Sequence, residues 1–252
     1  MAARKPLIAG NWKMYGRAAG LAEIDALAEA IAPVAGKIDA LICPPVAYVQ
    51  SAAAQARGKA VLIGAQDCSA CVEDAARTGE VGAAILADVG ARYVLVGHSE
   101  RRSQHGESND VVRRKAEAAL GAGLVPLVCV GETRADRDAG KALEVVGAQV
   151  SESMPERGAG IVVAYEPVWC IGGDRIPTPM EIAEVHTVIR EVLSTRLGGE
   201  AEGVRILYGG AVNSKNAAEV FGAEGVDGAL VGRASLKAAD FAGIILAHPA
   251  AA

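Results

Sequence analysis

The residues able to do chemistry stand where apolar runs stop. Asn11 and Lys13 follow one such run, His98 and Glu100 follow another, and Glu166 closes a third. Each has a plain alternative. A lysine after a strand is usually a solvated charge, but Lys13 is flanked by Trp12 and Met14, and an ammonium there needs an anion. A lone histidine is usually structural. His98 sits ahead of Ser99-Glu100-Arg101-Arg102, which can start a short helix, and a helix N-terminus favours the neutral imidazole. Glu166 stands before Pro167 and an apolar, glycine-bearing stretch with Trp169, Ile171, Gly172 and Gly173. A loop of that composition packs down or closes over something, and a covered carboxylate becomes more basic. Two further runs end in Gly209-Gly210 and Gly232-Arg233, where backbone N–H groups can approach an anion such as phosphate. A base, a neutral proton-donating electrophile, a fixed ammonium and a phosphate grip together suit proton abstraction beside a carbonyl in a small phosphorylated sugar.

The apolar runs that carry these residues occur at 7–9, 38–43, 60–65, 93–96, 125–130, 161–164, 204–207 and 228–231. They are short and apolar throughout, as strands buried on both faces are. Between them lie segments of helical spacing. Leu21, Ile24, Leu27, Ala28 and Ile31 share one face, and so do Ile182, Val185, Ile189 and Val192. Further helices are expected at 46–57, 81–89, 109–120, 133–151, 214–221 and 235–246, with Thr178-Pro179-Met180-Glu181 as a helix start. Strict alternation implies parallel strands with right-handed crossovers. Eight such units in 252 residues have the dimensions of a closed (β/α)8 barrel, an α/β fold with one domain over 1–252. An open dinucleotide-binding sheet would place Gly-x-Gly-x-x-Gly after its first strand, where this chain has Asn11-Trp12-Lys13. In a barrel, chemistry sits at the strand ends.

Composition bounds the partners. With 51% hydrophobic residues the chain can bury a large core, and its net charge of −5 gives no general attraction to nucleic acid or to an anionic membrane. No run approaches spanning length, and the basic N-terminus lacks an apolar stretch of signal-peptide length. Five cysteines, an odd number, point to reduced thiols and a cytoplasmic location. Cys68 and Cys71 form one Cys-x-x-Cys, which reads as unpaired loop thiols since half of a zinc site is missing.

Six segments, taken in order, resemble the signature segments of the triosephosphate isomerase family: Gly10-Asn-Trp-Lys-Met14, Gly97-His-Ser-Glu-Arg-Arg102, Cys129-Val-Gly-Glu132, Ala164-Tyr-Glu-Pro-Val-Trp169, Ile171-Gly172 and Tyr208-Gly-Gly210. The resemblance spans essentially the whole chain. It implies interconversion of dihydroxyacetone phosphate and D-glyceraldehyde 3-phosphate without cofactor or metal. By the same resemblance, Glu166 is the base and His98 the electrophile. Asn11 and Lys13 bind substrate, and Glu100 is a carboxylate near Lys13. Backbone N–H groups of Gly172, Ala211, Gly232 and Arg233 match the phosphate grip, under a lid at 167–177. The family's homodimer implies an interface loop at 67–80, with Thr78 reaching the partner's active site.

Departures from the family cluster at the phosphate end. The lid reads Cys170-Ile-Gly-Gly-Asp-Arg175 in place of Ala-Ile-Gly-Thr-Gly-Lys. Ala211 stands where a serine is usual, Arg233 where a glycine is, and Asp67 where an asparagine is. A side chain forced into the left-handed region costs roughly 1–2 kcal/mol, so Arg233 implies tolerable angles or a compensating charge. Asp174 would repel a phosphate by about 2 kcal/mol per unit charge at ~8 Å and an effective dielectric of ~20, which suggests an Asp174–Arg233 pair. The same departures leave open a related isomerase of tetrulose phosphates. A non-catalytic phosphometabolite-binding barrel, or a redox partner working through Cys68 and Cys71, would not need the base at Glu166.

Overall fold

The computed structural model describes residues 4–156, 160–170 and 176–252. Its strands are β1 (Leu7–Asn11), β2 (Asp39–Cys43), β3 (Val61–Ala65), β4 (Tyr93–Val96), β5 (Val125–Val130), β6 (Val162–Tyr165), β7 (Arg205–Tyr208) and β8 (Gly228–Val231). They pair in parallel in sequence order, and β8 returns to β1 through Leu7↔Gly228 to Gly10↔Val231, which closes an eight-stranded barrel. The eight expected runs are thus the eight strands.

Helices fill the crossovers: α1 (Ala22–Ala30), α2 (Val49–Ala56), α3 (Ala83–Asp88), α4 (Ser99–His105), α5 (Asn109–Gly121), α6 (Arg134–Asp138), α7 (Ala142–Ser153), α8 (Pro179–Leu197), α9 (Ala217–Phe221) and α10 (Ala238–Leu246). The single helix expected at 133–151 is two. α6 is closed by a Thr133–Asp136 capping box at one end and by Gly140 at φ 70° beyond the other. α8 starts at the expected Thr178 cap, whose side chain accepts from the Glu181 N–H while Glu181 reaches back.

Strand period 2 divides the core. Leu7, Ala9, Leu41, Leu95, Leu127, Cys129, Val162, Ala164, Leu207 and Leu230 fill the barrel interior. Their neighbours Ile8, Ile42, Val94, Val128, Val163 and Ile206 face the helices. That alternation positions the site. The next inward step after Leu7 and Ala9 is Asn11, and the next after Val162 and Ala164 is Glu166. Gly209 and Gly232 follow Leu207 and Leu230 in the same way. At Gly131 the backbone of Glu166 comes so close that a Cβ would lie 1.7 Å from the Glu166 carbonyl oxygen.

Candidate active site

The carboxylate of Glu166 is 2% exposed at the C-terminal mouth of the barrel. One oxygen lies 2.8 Å from His98 Nε2, and the other accepts from the Ser99 backbone N–H at 2.9 Å. Gly209 leaves room for it, since a Cβ there would sit 2.9 Å from Glu166 Cγ. Burial pushes the Glu166 carboxyl up, but His98 and the Ser99 N–H more than offset this and hold it below the usual carboxylate range.

His98 is 6% exposed and caps α4. Its Nδ1 accepts from the Glu100 N–H at 3.2 Å, which leaves Nε2 to carry the single proton of a neutral ring and donate it to Glu166. Burial disfavours charge on the ring, while the adjacent Glu166 carboxylate lifts its proton affinity above the ordinary imidazole value. The opposing influences of burial and of the partner act on both members of this pair, and the partner's influence exists only while they touch.

Lys13 carries φ 51°, the one positive φ among described non-glycine residues. Such a conformation persists only where surroundings impose it. Here Asn11 Oδ1 accepts from the Lys13 N–H at 2.9 Å, and Gln66 Nε2 donates to the Lys13 carbonyl at 2.8 Å and to the Cys43 carbonyl at 2.9 Å. The turn aims the Lys13 ammonium at Glu100, 2.6 Å away.

Asn11, Lys13, His98, Glu166, Ala211, Gly232 and Arg233 line one cavity of about 410 Å³. Glu100 joins it through Lys13. Gly172 and Asp174 lie outside the described residues, and with them the lid contribution to the phosphate grip and the Asp174–Arg233 pair. Thr78 is exposed on its loop and lines no part of this cavity. Asp67 sits between two cations, 2.6 Å from Lys115 Nζ and 3.0 Å from Arg101 Nε, which accounts for a carboxylate there. Cys68 is buried and its thiol is pushed up to about 12 by desolvation, so it is a poor nucleophile. Among the described residues no cluster of His, Cys, Asp and Glu could hold a metal, and no helix is long and apolar enough to cross a membrane.

Three supporting groups carry no role in the motif reading, although Arg102 and Glu132 stand within its segments. Gln66 pins the Lys13 turn. Arg102 donates to the Gly97 and Cys129 carbonyls and ties β4 to β5 below His98. Glu132, fully buried, accepts from Tyr165 Oη at 3.0 Å, from Trp169 Nε1 at 2.6 Å and from Arg137 at 3.2 Å, which anchors the chain leaving Glu166. Gln66 and Glu132 both stand just past strand ends, so taking every strand end in turn would have pointed to a role for each.

The sequence model of the family described as Triosephosphate isomerase matches residues 6–248. A triosephosphate isomerase from Afipia carboxidovorans is 55% identical over 247 residues, 97% of this chain and 98% of its own. One from Ruegeria pomeroyi is 52% identical over 252 residues, 99% of both chains. The crystal structure of triosephosphate isomerase from Bartonella henselae superposes with a TM-score of 0.88 at 41% identity, covering 96% of this chain and 98% of that one.

Proposed function

The chain belongs to the triosephosphate isomerase family, and on that premise we propose how its residues divide the work of the reaction. It is an isomerase that interconverts dihydroxyacetone phosphate and D-glyceraldehyde 3-phosphate, so its substrate is a small phosphorylated sugar. Glu166 removes a proton from the carbon beside the carbonyl and returns it to the neighbouring carbon. Between the two transfers the substrate is an enediolate, and His98 donates its Nε2 proton to the enediolate oxygens. Lys13 offsets the developing negative charge, and Asn11 orients the substrate beside it.

The observation that carries this reading is the contact of Glu166 with His98 Nε2 at 2.8 Å and with the Ser99 N–H at 2.9 Å. When the carboxylate turns to substrate it leaves both. The contributions that depress its proton affinity go, burial remains, and the base strengthens where it is needed. The same movement frees the His98 Nε2 proton for a substrate oxygen. One exchange of hydrogen bonds arms both groups.

The phosphate end falls to backbone N–H groups of Ala211, Gly232 and Arg233 on the turns after β7 and β8, whose residues line the cavity. We assign Glu100 the task of holding the Lys13 ammonium in place, supported by their 2.6 Å contact. The chain acts as a homodimer in this reading. Met14 is 96% exposed beside the Lys13 turn, Val46, Val72 and Ile85 are also exposed, and a second cavity bordered by Met14, Val46 and Arg77 opens next to Lys13. A second copy presenting its 67–80 loop would cover them. All five cysteines are free, in keeping with a reducing cytoplasm.

The test is a coupled assay with triose and tetrulose phosphates on wild type and Glu166→Ala. Turnover of the triose, with a loss of at least about 10³-fold in kcat for the variant, is expected. Turnover of the tetrulose alone would overturn the substrate, and an unimpaired variant would overturn the assignment of the base.

A further inference from the structure

Arg233 replaces a glycine of the family at the mouth of the cavity, and its backbone takes no strain for it. Its φ is outside the left-handed region, and it opens a 3-10 turn, Arg233–Ser235. The side chain is exposed and lines the cavity with Lys13, His98 and Glu166. Its guanidinium lies 6.0 Å from the centroid of the Tyr15 ring, at the outer reach of a cation–π contact. Among the described residues no carboxylate pairs with it. Lys13, the neighbouring cation, is engaged by Glu100 at 2.6 Å. At the facing turn Ala211 has no hydroxyl to offer, where the family usually has a serine. The phosphate end therefore lacks that hydroxyl and holds a forked, permanently charged donor group that no carboxylate among the described residues engages.

We propose that the Arg233 guanidinium is a side-chain ligand of the substrate's phosphoryl group, seated by the Tyr15 ring and fixing preference for a doubly charged end. This rests on the isomerase reading and specifies its phosphate site. A guanidinium presents paired N–H donors that match phosphate oxygens, and stacking on an aromatic face limits the conformations it must give up on binding. A donor of this kind at an exposed rim contributes about a tenfold gain in affinity, and salt erodes it. It acts on the end of the substrate that does not react, so its effect falls on KM.

The test compares wild type, Arg233→Gly, Arg233→Lys and Tyr15→Leu. For each, the KM for D-glyceraldehyde 3-phosphate and the inhibition constant of inorganic phosphate are measured at low salt and in ~0.5 M KCl, where the screening length is roughly 4 Å. Arg233→Gly should raise both constants about tenfold at low salt, with a change in kcat under about threefold, and high salt should narrow the gap to about twofold. Arg233→Lys keeps the charge but not the fork and should fall between. Tyr15→Leu should raise both constants about twofold to threefold. Constants for Arg233→Gly within twofold of wild type at low salt would overturn the proposal, as would a loss borne mainly by kcat. Should the glycine variant fail to fold, Arg233→Lys and Arg233→Gln carry the same comparison. Wild type that neither isomerises the triose nor responds to inorganic phosphate would sink the isomerase reading instead.

Discussion

The depressed proton affinity of Glu166 has a source that can be removed one hydrogen bond at a time. Ser99 is the first residue of α4, and His98 before it has φ −51° and ψ 143°, an extended conformation that a following proline accepts. Ser99→Pro should therefore keep the helix and delete the N–H that Glu166 accepts from at 2.9 Å, and Ser99→Ala, which removes only the hydroxyl 3.4 Å from the other oxygen, is its control. The profile of kcat/KM against pH reports the free enzyme. Glu166 lies below the usual carboxylate range there, so the base form survives as pH falls through that range and is lost only below it. Deleting a group that stabilises the carboxylate raises its pKa, so the acid limb of the variant should move to higher pH. The substrate phosphate titrates near pH ~6 in both proteins, so the variant-to-wild-type ratio isolates the enzyme's limb. An unmoved ratio would mean that the Ser99 N–H does not tune the base. His98→Asn should lower kcat about 10²- to 10³-fold in steady-state kinetics, the usual effect of losing one donor to a developing oxyanion.

At the level of elements, most of the fold was legible because each strand is buried on both faces and reads as an unbroken apolar run. The site was legible for a related reason: the inward register of Leu7 and Ala9, or of Val162 and Ala164, carries on to Asn11 and Glu166. What stayed hidden depends on contacts between distant segments. Gln66 reaches back to the Lys13 carbonyl, and Arg102 reaches across to Cys129, and no local spacing shows either. The break between α6 and α7 was hidden because apolar spacing runs on past Gly140, and the positive φ that ends the turn leaves no mark in it. Two substitutions test the elements that hold the base. Thr178→Ala removes the side-chain half of the α8 capping box and should cost about 1 kcal/mol, read as a fall of roughly 2–4 °C in Tm with kcat little changed. Gly131→Ala would drive a Cβ into the Glu166 carbonyl oxygen, 1.7 Å away, so β5 or β6 must shift. Overpacking of this kind costs about 1–3 kcal/mol, and a shift of about 1 Å in the base costs up to about 10²-fold in kcat. Kinetics and melting should both respond, whereas the Thr178 variant should move melting alone.

Across the whole molecule the two ends of the barrel serve different purposes. At the end where strands begin, Asp227 meets Arg4 at 2.8 Å and Arg190 at 3.2 Å and accepts from the Ile206 N–H at 2.9 Å, fastening the start of β7 to the chain terminus. Arg205 inside that end reaches Asp39 at 2.9 Å and Tyr93 Oη at 2.8 Å, tying β2, β4 and β7 together. The opposite end carries the strained Lys13 turn, the base and the exposed apolar side chain of Met14, and it is there that a second copy is expected. The base of the 67–80 loop is firm, since Asp67 is held by Lys115 and Arg101, and Ser69 is bonded to Glu80 and to the Val81 carbonyl. The exposed tip with Thr78 is thus presented on a rigid stem rather than left to find its own shape. If the tip of one copy covers the Lys13 turn of the other, association and turnover share one surface. Thr78→Arg should then shift sedimentation from twice the chain mass to the chain mass, and it should lower kcat by at least about tenfold, because the Lys13 turn loses the neighbour that fixes its position. The specific activity of wild type should fall on dilution in step with the loss of the larger species. A fully active wild-type monomer, or a Thr78→Arg protein that sediments as one chain with undiminished kcat, would show that the Asn11, Gln66 and Glu100 contacts within one chain are enough to hold Lys13 in place.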